Sequence, residues 1–315
     1  MRALVTRLRD DHIREKTLVT DWPEPEGPEA HEIKARTLYS GVTNGTERND
    51  LTGGNYATPD DRLPAGWGYQ NVGQIVEVGS DVTHLEVGDV LYISADHMEY
   101  VVIPEDGLLV KLPAEVDPKH AALFGMASVA MRSCRNADPR MGERVLIVGQ
   151  GCIGQFAAQI AHAMGARVTV CDVDPQRLNL ARKVGAAEMV LDTSGDGWAD
   201  HIEEGSFDAV IDLAGVVDME DQLIKAVRHK GRVVFVAGRF KVSYTFNLGQ
   251  GKEITLKQNS HFDNSDLAEL CHLVARGSVY IGPIIQEIIP VSDAKRLYDT
   301  LRDTSGDLMG TVFEW

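Results

Sequence analysis

Apolar positions recur with two different periods along this chain. Residues 1 to about 117 carry short runs that alternate or nearly alternate. They fall at 3–6, 17–22, 32–42, 73–78, 89–94 and 100–103. Such spacing predicts strands with one buried face. Pro23, Pro25, Gly27 and Pro28 predict a turn between two of them. Gly66, Gly68, Gly73, Gly79 and Gly88 predict the tight corners of a small barrel. After Pro118 the period lengthens, and 119–137 reads as a bridging helix.

From there strands and helices alternate. Six apolar runs, at 145–148, 167–171, 188–191, 208–213, 232–237 and 253–256, are separated in the first four intervals by helix-like segments such as 176–184. Alternation of this kind predicts a parallel, doubly wound sheet with right-handed crossovers. The tail is expected to form a helix over 264–276, capped by Asn264 or Ser265 and stopped by Gly277. A strand at 284–289, a helix at 292–301 and a strand at 310–313 follow. The expected class is α/β, with a β-barrel domain over 1–121 and 258–315 and a nucleotide-binding domain over 122–257.

One stretch organises the rest. Val145 to Val148 is a buried-strand run, and Gly149, Gly151 and Gly154 then spell G-x-G-x-x-G before a helical apolar face of Ile153, Phe156, Ala157, Ile160, Ala161 and Met164. A strand before and a helix after is the context a dinucleotide turn requires. Glycines there let backbone N–H groups approach a pyrophosphate at the positive end of the helix. Gly149, Gly151, Cys152, Ile153 and Gly154 are therefore cofactor-binding candidates. Asp172 ends the next strand, 18 residues past Gly154, close to the spacing of a carboxylate that bonds the adenosine ribose. A carboxylate there repels a 2′-phosphate, so NAD(H) is expected over NADP(H). Arg177 either reaches such a phosphate, lies over the adenine or pairs with Asp174. Ala214 follows the fourth strand, and Gly238 and Arg239 follow the fifth. Carboxyl ends of strands are where the ligand crevice of such a sheet lies. Arg239 reads either as an anion ligand or as a solvated loop arginine.

Composition narrows the partners. The 315 residues suffice for two domains, 43% are apolar, and the net charge is −16 with neutral histidines. That balance argues against a nucleic-acid or anionic-membrane surface and leaves a small-molecule substrate. The four cysteines are scattered without a C-x-x-C pair, which suits reduced thiols in a cytoplasmic protein. The N-terminal residues are charged throughout and lack a signal-peptide apolar core. No apolar run approaches membrane-spanning length.

With Gly66-Trp-Gly-Tyr-Gln-Asn-Val-Gly-Gln-Ile-Val-Glu-Val-Gly79, Val87-Gly-Asp89, Glu99-Tyr-Val-Val-Ile-Pro104 and the Gly149 turn in hand, the chain resembles the medium-chain dehydrogenase/reductase superfamily (alcohol dehydrogenase-like). The resemblance implies a GroES-like barrel, a Rossmann domain, a C-terminal return to the barrel, and a homodimer or homotetramer. The edge near 253–258 suits intersubunit sheet pairing. Where the zinc-dependent branch carries Cys, Gly-His-Glu and a second Cys, the chain has Thr43, Gly68-Tyr69-Gln70 and Phe124. Phenylalanine cannot bind zinc, and Thr and Tyr are poor ligands. No metal is therefore expected. Ser40-Gly-Val-Thr-Asn-Gly-Thr-Glu47 is similar to a segment of the bacteriochlorophyllide dehydrogenase-like branch.

Without zinc, some group must still hold a carbonyl oxygen and move a proton. The catalytic candidates are Tyr69, Thr43, Thr46 and His97. Tyr69 reads as a hydrogen-bonding acid or as cleft-floor packing. Thr43 and Thr46 are proton relays or turn residues, since Asn44-Gly45 is turn-like. His97 is a relay or a surface-loop histidine. Glu47 is a base or the partner of Arg48. The leading expectation is a zinc-independent hydroxyl/carbonyl oxidoreductase working in an interdomain cleft. The alternatives are a quinone or enone reductase and a non-catalytic NAD(P)H-binding sensor.

Overall fold

The computed structural model describes residues 1–304 and 308–315. They form two compact units. The first is Met1–Gly125, Leu267–Cys271 and Ile285–Trp315. The second is Met126–Asp266 and His272–Ile284.

The N-terminal part of the first unit holds strands β1 (Ala3–Leu8), β2 (Arg14–Val19), β3 (Glu32–Gly41), β4 (Ala65–Gly66), β5 (Asn71–Val78), β6 (Val90–Ile93), β7 (Tyr100–Pro104) and β8 (Leu109–Lys111). Helices α1 (Asn44–Leu51) and α2 (Pro118–Ala121) join them. β1 pairs antiparallel with β2 and β4. β3 pairs antiparallel with β5 and β7, and β5 continues into β6 and β8. The alternation read from the sequence is what fills this core: Ile33, Ala35, Ile75, Leu91, Ile93 and Val101 point inward together.

Asn44 and Gly45, expected in a turn, open helix α1 instead. The Glu47 carboxylate accepts from both the backbone N–H and the hydroxyl of Thr43, at 2.7 and 3.0 Å. Those bonds tie the residue before the helix to its first turn, so local turn preference is overridden. The helix expected over 119–137 is two pieces, α2 and α3 (Phe124–Ala137). Leu123 N bonds back to the His120 carbonyl at 3.1 Å, a tight turn that ends α2.

The second unit carries β9 (Arg144–Val148), α4 (Cys152–Ala163), β10 (Arg167–Asp172), α5 (Pro175–Val184), β11 (Met189–Asp192), α6 (Gly197–His201), β12 (Phe207–Asp212), α7 (Glu220–Ala226), β13 (Val227–Phe235), α8 (Phe246–Lys252), β14 (Thr255–Gln258) and α9 (Asn264–Ala275). Its sheet is parallel in every pairing, with order β11-β10-β9-β12-β13-β14. β9 is central and fully buried from Val145 to Ile147, as a strand covered on both faces must be. The order reverses beside β9, the topology of a dinucleotide-binding Rossmann sheet.

Two expectations shift here. β14 starts at Thr255 rather than 253, because Glu253 takes a left-handed conformation (φ 50) as the terminator of α8. The cap of α9 is Asp263, not Asn264 or Ser265. Asp263 accepts from Asp266 N at 3.1 Å while Asp266 accepts from Asp263 N at 3.2 Å, a reciprocal pair that neither neighbour makes. Asp266 also bonds Arg132 and Arg135 of α3. The first unit takes Leu267–Cys271 of α9 and then the final segment from Ile285. There β15 (Glu287–Pro290) pairs with β16 (Thr311–Glu314), which pairs with β3. Helix α10 (Ala294–Asp303) buries Leu297, Tyr298 and Leu301 against Leu4, Val42, Leu51 and Phe313.

Candidate functional site

The glycine turn of the second unit has the shape its sequence promised. Gly149 sits at φ +92, and a Cβ on it would press on the backbone of Ala214 at 2.9 Å. A Cβ on Gly154 would lie 2.0 Å from the Gly149 carbonyl oxygen, so only glycine lets α4 approach the strand. Gly151, the N-cap of α4, has nothing within 4 Å of its would-be Cβ. Two glycines are therefore needed for packing, and the middle one leaves open space at a helix N-terminus, where a phosphate group is welcome. Cys152 is buried as the first residue of α4, and Ile153 is partly buried.

Asp172, at the end of β10, is tied to this turn. Its carboxylate accepts from Gln150 N at 2.6 Å, Val173 N at 2.7 Å and Asp174 N at 2.9 Å. Arg177 approaches both Asp172 (3.8 Å) and Asp174 (3.6 Å), which is the pairing with Asp174 left open by the sequence.

Arg239 is not a solvated loop arginine. Its guanidinium is 9% exposed, pairs with Asp212 and lies 3.1 Å from Glu220. The other Asp212 oxygen accepts from Ala214 N and Gly215 N at 3.2 and 3.1 Å. Arg239 thus braces the turn that carries Ala214. Gly238 is exposed beside it.

The first unit contains a cluster that the sequence did not announce. Glu47 is fully buried, as are Lys16, His97 and Tyr298, which come from α1, β2, the β6–β7 connection and α10. One carboxylate oxygen of Glu47 takes the two Thr43 bonds and faces His97 Nε2 at 3.2 Å. The other accepts from Lys16 Nζ at 2.8 Å and Tyr298 OH at 2.6 Å. Burial by itself would raise the Glu47 carboxyl. The Lys16 ammonium and the His97 ring outweigh it and hold that carboxyl well below the usual carboxylate range. Burial, and then Glu47 itself, push the Tyr298 phenol well up. The carboxylate acceptor assigns the His97 proton to Nε2, and Nδ1 has no hydrogen-bond partner among the described residues. Phe313 meets the His97 ring edge-on at 6.1 Å.

His97 is therefore a core residue rather than a surface-loop one. Glu99 does not share its surroundings and pairs with Arg2. Thr43 is 2% exposed with its hydroxyl directed to Glu47. Thr46 is half-buried on α1. Tyr69 is half-buried, and its carbonyl accepts from Tyr92 OH at 2.5 Å. Gln70 is fully buried, bonding the Gly41 carbonyl at 3.2 Å, and Phe124 is fully buried beside Tyr92. Lys16 and Tyr298 carried no readable signal. They lie far from Glu47 in sequence and belong to no motif.

Residues 152–276 match the family described as zinc-binding dehydrogenase. The chain is similar to dehydrogenases of the medium-chain, zinc-binding type. Among curated relatives it is 29% identical to D-guloside 3-dehydrogenase of Escherichia coli K12, over 76% of this chain and 73% of that protein. It is 26% identical to sorbitol dehydrogenase 1 of Saccharomyces cerevisiae, over 92% of each. Its fold matches a crystal structure of an alcohol dehydrogenase from Escherichia coli CFT073 complexed with NADH. The TM-score is 0.86 at 16% identity, covering 100% of this chain and 99% of that one. No helix among the described residues is long and apolar enough to cross a membrane.

The family description implies zinc, and the donors present in this dehydrogenase-type chain do not fit it. Phe124 offers only carbon, and the Thr43 hydroxyl already donates to Glu47. All four cysteines are buried, and burial pushes Cys134 and Cys171 up to about 12 and Cys271 to about 11, far from thiolate. Among the described residues no three His, Cys, Asp or Glu side chains stand together as a zinc ion requires. The His97–Glu47 pair has the Lys16 ammonium on its carboxylate, where a metal cation would be repelled.

Proposed function

We propose that this chain is a zinc-independent dehydrogenase that moves hydride between NAD(H) and the hydroxyl/carbonyl pair of a small polyhydroxylated substrate. The observation that carries the reading is the glycine turn with Asp172 fastened to it. Open space at Gly151, a helix N-terminus and a carboxylate at the end of the second strand are the three parts a dinucleotide without a 2′-phosphate needs. The nucleotide would donate or accept the hydride, according to direction. The chain's own residues hold the substrate oxygen and handle its proton.

Tyr69 is the proposed proton-handling group, because it stands where the resemblance would put a metal ligand and a phenol can bond a carbonyl oxygen. Guloside and sorbitol dehydrogenases among the relatives point to polyols and sugar derivatives as the substrate class. The protein is proposed to act as a homodimer or homotetramer through the β14 edge of its sheet.

The test is calorimetric titration of metal-stripped protein with NADH and NADPH, followed by turnover on a polyol and ketose panel. NADH is expected to bind at least tenfold tighter, and activity is expected to survive chelation. Tyr69→Phe should lower turnover roughly tenfold or more. Preference for NADPH would transfer the adenosine contact from Asp172 to Arg177. Tight NADH binding with no turnover on polyols, ketones or enones would leave a nucleotide-binding sensor instead.

A further inference from the structure

The buried cluster of the first unit touches the main chain immediately before Tyr69. Lys16 Nζ donates to the Trp67 carbonyl at 3.4 Å as well as to Glu47. The His97 ring lies against Gly68, so closely that a Cβ there would sit 2.7 Å from its Cδ2. Gly68 holds φ +145, a conformation that residues with a side chain rarely adopt. Tyr92 OH in turn holds the Tyr69 carbonyl. Two members of the cluster thus seize the two residues that set the direction in which residue 69 leaves the turn.

We infer that Lys16, Glu47 and His97 are positioning residues for Tyr69. Glu47 fixes the ammonium and the imidazole, and these fix Trp67 and Gly68. Cohesion alone would not call for these residue types. Apolar side chains of similar volume pack a buried site at least as well as an ion pair. A phenylalanine at 97 would meet Phe313 without leaving an imidazole nitrogen unpartnered. What the apolar set cannot do is bond the Trp67 carbonyl and lock a ring on Gly68 from one carboxylate. The inference rests on the reading of Tyr69 as the residue that contacts the substrate oxygen.

Replacing all tyrosines with 3-fluorotyrosine gives a fluorine resonance for Tyr69, assigned by its loss in Tyr69→Phe. In His97→Phe and in the double variant Lys16→Met/Glu47→Gln, the Tyr69 resonance is expected to shift or split. The resonance of Tyr280, which belongs to the second unit, is expected to stay, with NADH affinity unchanged within about twofold. On the best substrate of the panel, kcat should fall roughly tenfold with KM moving less, and His97→Gln should restore part of it. In a Tyr69→Phe background the same changes should cost nothing further in kcat. An unmoved Tyr69 resonance, or losses that add to that of Tyr69→Phe, would overturn the inference. Should the double variant not fold, His97→Phe decides alone. If Tyr69→Phe keeps full turnover, the proposed role of Tyr69 fails, and the fluorine spectra still answer whether the cluster positions it.

Discussion

The glycine turn and the buried cluster solve opposite problems with polar groups. At the turn of the second unit the working atoms are backbone N–H groups beside an open position, Gly151. Side chains are removed so that something else can come close. In the first unit the working atoms are side chains with no access to water, and each is matched to another. An open site tolerates a missing ligand because water substitutes for it. A closed site does not tolerate the loss of a charge's partner, because an unpaired charge in the interior has no such substitute.

The largest difference between the two sites is expected when one partner is removed from the closed one. Lys16→Met leaves the Glu47 carboxylate buried without its cation, and should cost about 3–5 kcal/mol of stability. Adding Glu47→Gln removes the stranded charge and should recover most of the loss. Denaturant unfolding of the single and double variants checks both. If the single variant is as stable as the wild type, the ammonium is not the partner of this carboxylate.

At the open site the contrast is between two glycines three residues apart in one motif. Gly154→Ala places a Cβ 2.0 Å from the Gly149 carbonyl oxygen, so the backbone must move, at about 1–3 kcal/mol in stability. Gly151→Ala meets nothing in the free protein and should leave stability within about 0.5 kcal/mol. It fills the space proposed for the diphosphate, however, and should weaken NADH at least about tenfold. Melting curves and NADH titrations of the two variants give opposite patterns if the turn holds a dinucleotide. Equal NADH affinity in Gly151→Ala and wild type would remove the diphosphate from this turn.

The same contrast explains what the sequence disclosed. The turn could be read because its chemistry is local: strand, three glycines, helix and Asp172 lie on one short stretch. The alternating first part and the β–α alternation of the second likewise declare themselves through period. The cluster could not be read because Lys16, Glu47, His97 and Tyr298 meet only after three separate chain crossings. Each alone looks like a solvated residue or a packing tyrosine. Thr43 and His97 were picked out as candidates, but for relay chemistry rather than for their bonds to Glu47. The ion pairs of Arg239 were not legible for a related reason: its partners Asp212 and Glu220 are 27 and 19 positions away. Helix boundaries slipped where a side chain reached back to the backbone, as Glu47 does to Thr43 and Asp263 does to Asp266.

Acid acts on the closed site by a smaller margin. Glu47 is held below its ordinary range in the folded protein, so its contribution is fully present above the unfolded carboxylate range near 4.3 and is lost as pH falls through and below it. Lys16, His97, Thr43 and Tyr298 bond it directly, and Lys16 and His97 hold it down. Asp96 is pushed up by burial against the lowering effect of His97 and Lys16, so it contributes with the opposite sign: the folded state favours its protonated form. Between pH 7 and pH 3 the wild type should therefore lose about 1–2 kcal/mol more than Lys16→Met/Glu47→Gln, with the rest of the acid slope shared by both proteins. Asp96→Asn should steepen the wild-type loss, since it removes the opposing group. Unfolding curves at the two pH values measure these differences. Parallel slopes in all three proteins would mean that Glu47 titrates alike in the folded and unfolded chain, and that the cluster holds no charge worth protecting from water.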